Sequence, residues 1–254
     1  MILLIASVCG AALFLWPFLG LGVPADAPAL ALALAVVIAL AAVEVGTRRL
    51  DTRHLALLAT IAALDSAMRL LVVTGIGGFS PIFFLVLCAG YVLGPEYGFL
   101  AGATSLLASA VVTGGVGPWV PYEMFGVGWV GMIAGWCGLR RHGAPQWIDL
   151  ATLAFTGACL GLVYGALLDV WDWTAFRADP SFGWIPGMAP VEALHRFGRF
   201  YLSTSLVYDL FRAVGNALMV VALGRPVLLA LRRFQVRFRV EIVDAAEQIA
   251  SVSA

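Results

Sequence analysis

The chain has 254 residues, 62% hydrophobic and only 12% charged, with a mean hydropathy of +0.97 and a formal net charge of zero. A soluble domain carries about 25% charged residues, so this chain cannot coat a globule of its size with polar groups. That excludes a water-soluble enzyme, a disordered regulator and a secreted disulfide scaffold, and leaves an all-α, polytopic membrane bundle in a lipid bilayer. All 15 basic side chains are arginine. The four cysteines (Cys9, Cys88, Cys137, Cys159) are scattered singly through apolar runs. With no CxxC or Cys/His cluster, neither a metal nor a redox site is expected.

A bilayer core about 30 Å thick needs roughly 20 residues of helix, and helix is the default because lipid offers the backbone no partners. In chain order the apolar runs are 2–21, 28–46, 54–73, 81–94, 97–113, 119–139, 149–171 and 200–224. Ala25-Asp26-Ala27 resembles a signal-peptide cleavage site, but the first run lacks a basic leader and a second run follows at once, so it is expected to be a retained helix. The fourth and fifth runs are short and meet at Gly94-Pro95, as two tight spans or one broken element. The 172–199 segment, with Trp173, Trp184 and several prolines, reads as an ordinary interfacial loop or as a lid. The expected organisation is two N-terminal helices in 1–47, a six-helix core in 48–224 and a basic tail in 225–254.

The arginines orient this arrangement. Arg48, Arg49 and Arg53 follow the second run, Arg140 and Arg141 the sixth, and Arg225, Arg232, Arg233, Arg237 and Arg239 the eighth. On the other side only the 172–199 loop carries arginine, as Arg177, Arg196 and Arg199. The positive-inside rule then expects both termini in the cytoplasm of a multi-pass cell-membrane protein.

Ionisable groups inside spans are costly and point to function. Asp65 and Arg69 are four apart on one helix face, spaced to neutralise each other. Asp209 and Arg212 repeat the pattern at three residues, with Asn216 continuing the face. Given the orientation, Arg69, Glu123, Asp169 and Asp209 all fall in the outer half. Trp119, Tyr122, Trp171, Tyr201 and Tyr208 lie at similar depth. Aromatics with a few fixed polar groups suit a small-molecule pocket, and inter-helix hydrogen bonding alone is the competing explanation. Small-residue stripes run along Ala59/Ala63/Ala67, Gly157/Gly161/Gly165 and Gly131/Gly135, and each can pack inside the bundle or dock another subunit. No phosphate loop, zinc-protease, hydrolase or dinucleotide motif is present, so no catalytic residue, enzyme activity, cofactor or nucleic-acid partner is expected.

The strings Gly77-Gly-Phe-Ser-Pro-Ile-Phe-Phe, Gly94-Pro-Glu-Tyr-Gly-Phe, Gly102-Ala-Thr-Ser-Leu-Leu-Ala-Ser, Thr113-Gly-Gly-Val-Gly-Pro-Trp-Val-Pro-Tyr-Glu-Met and Phe200-Tyr-Leu-Ser-Thr-Ser-Leu-Val-Tyr-Asp-Leu-Phe-Arg resemble the substrate-binding S component of energy-coupling factor (ECF) transporters. The branch they most resemble is an actinobacterial one likened to cobalamin-type S components, and the likeness spans roughly 54–232. It implies a six-helix core that captures a vitamin-like micronutrient and works with a membrane T component and two cytoplasmic ATPases. It implies that Ala59, Ala63 and Ala67 contact the T component. It also implies a pocket built from the 75–80 turn with Phe79, from Trp119 and Glu123, and from Asp209. Residues 1–47 add two helices to that core. The alternatives are a self-sufficient carrier using the Asp/Arg pairs as a proton relay, and a structural assembly protein.

Overall fold

The computed structural model describes residues 1–19, 26–47, 50–72, 82–141, 143–176 and 182–237. Among these there are nine α-helices and no strand. They are α1 (Ile2–Leu15, continued by a short 3-10 turn over Trp16–Leu19), α2 (Asp26–Gly46), α3 (Thr52–Val72), α4 (Ile82–Leu93), α5 (Pro95–Thr113), α6 (Val120–Gly138), α7 (Trp147–Phe176), α8 (Pro190–Thr204) and α9 (Leu206–Arg237). Each of the eight apolar runs carries a helix. Ile2–Leu19, Ala27–Gly46, Trp147–Ala175 and Leu206–Val236 are long and apolar enough to cross a membrane on composition alone. The protein is a helical membrane bundle.

Asp51 starts α3. Its carboxylate accepts hydrogen bonds from the backbone N–H groups of Arg53 (3.0 Å) and His54 (2.9 Å) and contacts the His54 ring at 2.7 Å. The His54 N–H, reinforced by its ring, holds the Asp51 carboxyl below its ordinary pKa. This is an N-cap, satisfying donors that the first turn leaves open.

The α4–α5 junction is a hairpin. Gly94 adopts φ +99°, a backbone region closed to most side chains, and Pro95 opens α5. Gly90 and Gly98, four residues to either side, both come against the carbonyl of Gly131 on α6. A Cβ would lie 2.1 Å from that oxygen at Gly90 and 2.2 Å at Gly98. The seam continues at Gly102 against Val127 and at Gly138 against Tyr91. Glycine here lets three backbones touch, which is how helices associate where burial of apolar groups supplies no drive.

The glycine stripe of α7 faces α9. A Cβ at Gly161 would lie 3.0 Å from the Ala213 Cα, and one at Gly157 would lie 3.7 Å from the Asn216 Cβ. Gly131 and Gly135 likewise face α4 and α5. Ala59, Ala63 and Ala67 are different, because all three lie exposed on the outer face of α3. The two added helices leave that face open. Gly10 of α1 lies against the Phe125 and Trp129 rings of α6, Phe14 meets Tyr122 edge-on at 5.1 Å, and the Trp129 indole N–H donates to Ser7 Oγ at 3.2 Å. α2 packs beside it on α5 and α6.

The structure corrects the eighth run in two ways. The 200–224 segment is divided at Ser205, where α8 ends and α9 begins. α8 is amphipathic, with Glu192, His195, Arg196 and Arg199 on one side and Val191, Leu194 and Leu202 exposed on another, as suits a helix lying in an interface. The helix also does not stop at 224. Leu228 and Leu231 remain buried, so α9 runs on to Arg237 and carries Arg225, Arg232 and Arg233 that were expected in a tail. The 172–199 segment is correspondingly shortened, since α7 continues to Phe176 and α8 occupies its second half.

Candidate functional site

Five helices bring polar side chains to one end of the bundle. α3 contributes Arg69, whose Nη1 donates to Ser109 Oγ of α5 at 3.3 Å. α6 contributes Glu123, whose electrostatic neighbours are Arg69, Arg212 and Asp172. α7 contributes Tyr164, Asp169 and Asp172. α9 contributes Asp209 and Arg212, which pair directly, and Arg212 Nη1 also approaches the Gly161 carbonyl at 3.4 Å. The Arg212 guanidinium lies 5.2 Å from the centre of the Tyr164 ring, a cation–π position. At the α8–α9 break, Ser205 Oγ donates to Asp169 Oδ1 at 2.8 Å, and Tyr201 of α8 faces Asp209.

Gly165 explains why Asp209 sits where it does. A Cβ there would lie 1.9 Å from both carboxylate oxygens of Asp209, so the absence of a side chain on α7 is what admits the carboxylate. Asp209 is 1% exposed and Asp169 5% exposed. Two guanidiniums and four carboxyls thus share one region, where opposite charges limit the cost of burial.

Aromatic rings close the cluster. Trp171 lies 5.4 Å from Tyr122 and 6.4 Å from Trp119, centre to centre, and Phe83 of α4 meets Tyr164 at 4.9 Å. Farther out, Trp173 contacts Trp184 at 5.3 Å and Phe197 of α8 at 5.4 Å, and Trp184 contacts Phe18 of the N-terminal segment at 4.9 Å. The Trp173 indole donates to the Phe182 carbonyl at 2.6 Å. α8 is therefore fastened over this end by rings.

Some hydrogen-bonding atoms here have no protein partner among the described residues. They include Asp169 Oδ2, Asp209 Oδ2, Arg212 Nε and both amide atoms of Asn216. Asn216 is fully buried one turn beyond Arg212, beside Gly157 of α7. Buried polar atoms of this kind call for an explanation, and a polar ligand supplies one. Among the described residues, no group of three or more His, Cys, Asp or Glu is arranged to hold a metal ion.

The structure brings together Arg69, Trp119, Tyr122, Glu123, Asp169, Trp171, Asp209 and Arg212 of the sequence candidates, with Asn216 beneath them. Tyr208 is the exception, since its side chain is 52% exposed while its neighbour Asp209 is buried. Phe79 lies outside the described residues, as does the whole 75–80 turn. The expected Asp65–Arg69 pair is also corrected. Among the described residues Asp65 makes no ion pair. It is fully buried and faces Ser105, while Arg69 turns to Ser109. Sequence reasoning missed Tyr164, Ser109 and Ser205. Tyr164 had one visible signal, being the only tyrosine within the seventh apolar run.

A cavity of about 700 Å3 lies at the opposite end of the bundle, away from this cluster. In comparisons with known proteins, residues 53–224 match the family described as "ECF transporter, substrate-specific component". No curated protein and no solved structure matches the chain.

Proposed function

As this chain belongs to the ECF transporter substrate-specific component family, we propose that its polar and aromatic cluster captures a vitamin-like micronutrient from outside the cell, with cobalamin as the leading candidate. The family places the chain as the substrate-binding membrane subunit of an importer, a transport subunit and not an enzyme. Its partners are a small-molecule substrate, a membrane T component and ATPase subunits.

One observation carries the assignment of the site. Charged and hydrogen-bonding groups from α3, α5, α6, α7 and α9 converge at one end, beside aromatic rings packed edge-on and tilted, with atoms of Asp169, Arg212 and Asn216 still able to bond. The aromatic faces suit a flat ring, and the fixed polar atoms suit its ring nitrogens or amides. The cobalamin preference rests on resemblance to one branch of the family. The outward orientation of the cluster rests on the arginine asymmetry, which puts both termini in the cytoplasm.

The partner-facing surface follows from α3. The open Ala59/Ala63/Ala67 face is a shallow strip on which another membrane helix can lie closely, and α1 and α2 leave it free by packing on α5 and α6. Ala63→Trp is expected to abolish co-purification with the T component while leaving substrate affinity within about twofold, a small fraction of one tenfold step. Loss of substrate binding with the T component still attached would place that strip inside the site's support.

The test of the whole reading is uptake in liposomes. The chain alone is expected to bind substrate without accumulating it, and accumulation is expected to require the T component, the ATPases and ATP. Proton-driven accumulation by the purified chain alone would overturn this in favour of a self-sufficient carrier. The Asp209–Arg212 pair would be that carrier's relay, because Asp65 and Arg69 do not pair.

A further inference from the structure

The cavity at the end opposite the cluster has a chemistry of its own. The ends of α4 and α6, the turn before α7 and the last turns of α9 enclose it, and Val92, Leu93, Leu139, Leu229 and Val236 line its wall. Three guanidiniums, Arg141, Arg232 and Arg233, also line it, and among the described residues no acidic one does.

Among the described residues, Asp149 is the carboxylate that the lining arginines approach, and it is already engaged. It is 3% exposed and accepts the Tyr91 hydroxyl at 2.6 Å and the Gln146 backbone N–H at 2.7 Å. Arg141 and Arg232 each come within 3.9 Å of it. Arg232 also donates to the Gly143 carbonyl, so it is committed to holding this corner. Counting the described lining residues and their ion-pair partner, one carboxylate stands against three guanidiniums. Arg141 and Arg233 are the exposed members.

The surroundings mark a membrane–water boundary. Trp136 of α6 is 51% exposed and Trp147 of α7 is 77% exposed, both at this end. Exposed tryptophans favour the head-group level. A site with an apolar wall, a surplus of guanidinium and an interfacial position matches one ligand class. Guanidinium forks bind phosphate oxygens well, and basic pockets between helices at the membrane boundary hold anionic head groups.

We propose that this cavity binds an anionic phospholipid, with the head-group phosphate between Arg141 and Arg233 and the proximal acyl chains along Leu139, Leu229 and Val236. A free phosphate would use the same arginines but would leave the apolar wall unused. No residue of the substrate cluster takes part, so the lipid site stands apart from the substrate reading.

The test uses the full chain reconstituted in nanodiscs holding equal phosphatidylglycerol and phosphatidylcholine, with retained lipid counted by native mass spectrometry. Wild type is expected to retain phosphatidylglycerol about thirtyfold over phosphatidylcholine, from two guanidiniums at the head group. The Arg141→Gln/Arg233→Gln variant is expected to lose that preference, and the Arg141→Lys/Arg233→Lys variant to keep most of it. Both variants leave Asp149 its bonds to Tyr91, Gln146 and Arg232, so their thermal unfolding is expected to match wild type. Millimolar inorganic phosphate is expected to displace nothing. Equal retention of the two lipids by wild type, an unchanged preference in the glutamine variant, or displacement by inorganic phosphate would each overturn the assignment.

Discussion

Replacing Gly131 with valine is expected to prevent recovery of folded protein from detergent, or to lower its stability by about 4 kcal/mol or more, the range reserved for severe core defects. A Cβ at this position would lie 2.0 Å from the Gly98 carbonyl oxygen and 2.9 Å from the Val86 side chain. The nearer atom belongs to the backbone, so no rotamer change relieves the contact and α5 must move away from α6. That movement opens the α4–α5 hairpin as well, because Gly90 and Gly98 rest on the same carbonyl of Gly131. In lipid, the close approach itself supplies the packing that holds helices together. Gly198→Ala is the matched control. A Cβ there meets nothing within 4 Å, and its φ is ordinary, so alanine inside α8 is expected to hold or slightly raise the unfolding temperature. Thermal unfolding of both variants in one detergent decides the matter. A Gly131→Val protein as stable as wild type would show that the three-glycine seam is not the centre of the fold.

The second large effect is expected at Asp209. Asp209→Ala removes the direct partner of Arg212 and leaves that guanidinium with the Gly161 carbonyl and the Tyr164 ring. Breaking a buried pair by removing one side costs about 3–5 kcal/mol. Stability is therefore expected to fall by about that amount, and substrate affinity is expected to fall at least tenfold, the value of one hydrogen bond to a charged group. Stability loss alone would not implicate the site, so Asn216 supplies the separation. Neither of its amide atoms has a protein partner among the described residues, and it is fully buried. Asn216→Leu removes that burden, and it is expected to hold or raise the unfolding temperature while lowering substrate affinity about tenfold, the value of roughly one hydrogen bond. Lower stability with unchanged affinity would make Asn216 a structural residue.

The places where sequence reasoning fell short have physical reasons. Hydropathy located all eight apolar runs because lipid requires long apolar helices. The same averaging merged α8 with α9, since a sliding window over Phe200–Asn216 cannot register a one-residue break at Ser205. Tyr208 and Asp209 were grouped by depth, yet adjacent residues on a helix are about 100° apart, and the neighbour of a buried aspartate faces outward. The Asp65/Arg69 spacing allowed a pair along α3, but Arg69 finds Ser109 of α5 across the interface, and neither carboxylate oxygen of Asp65 has a hydrogen-bond partner among the described residues. The small-residue stripes were equally ambiguous in composition. Only packing separates the glycine stripe of α7, which admits Asp209 and Ala213, from the alanine stripe of α3, which remains open.

The most direct test of the central claim is mass spectrometry of small molecules that co-purify with the chain expressed alone. A single ring-containing micronutrient is expected with wild type and with Ala63→Trp, and is expected to be lost with Asp209→Ala and reduced with Asn216→Leu. The same molecule retained at full occupancy by both Asp209→Ala and Asn216→Leu would contradict the claim that this cluster is the substrate site.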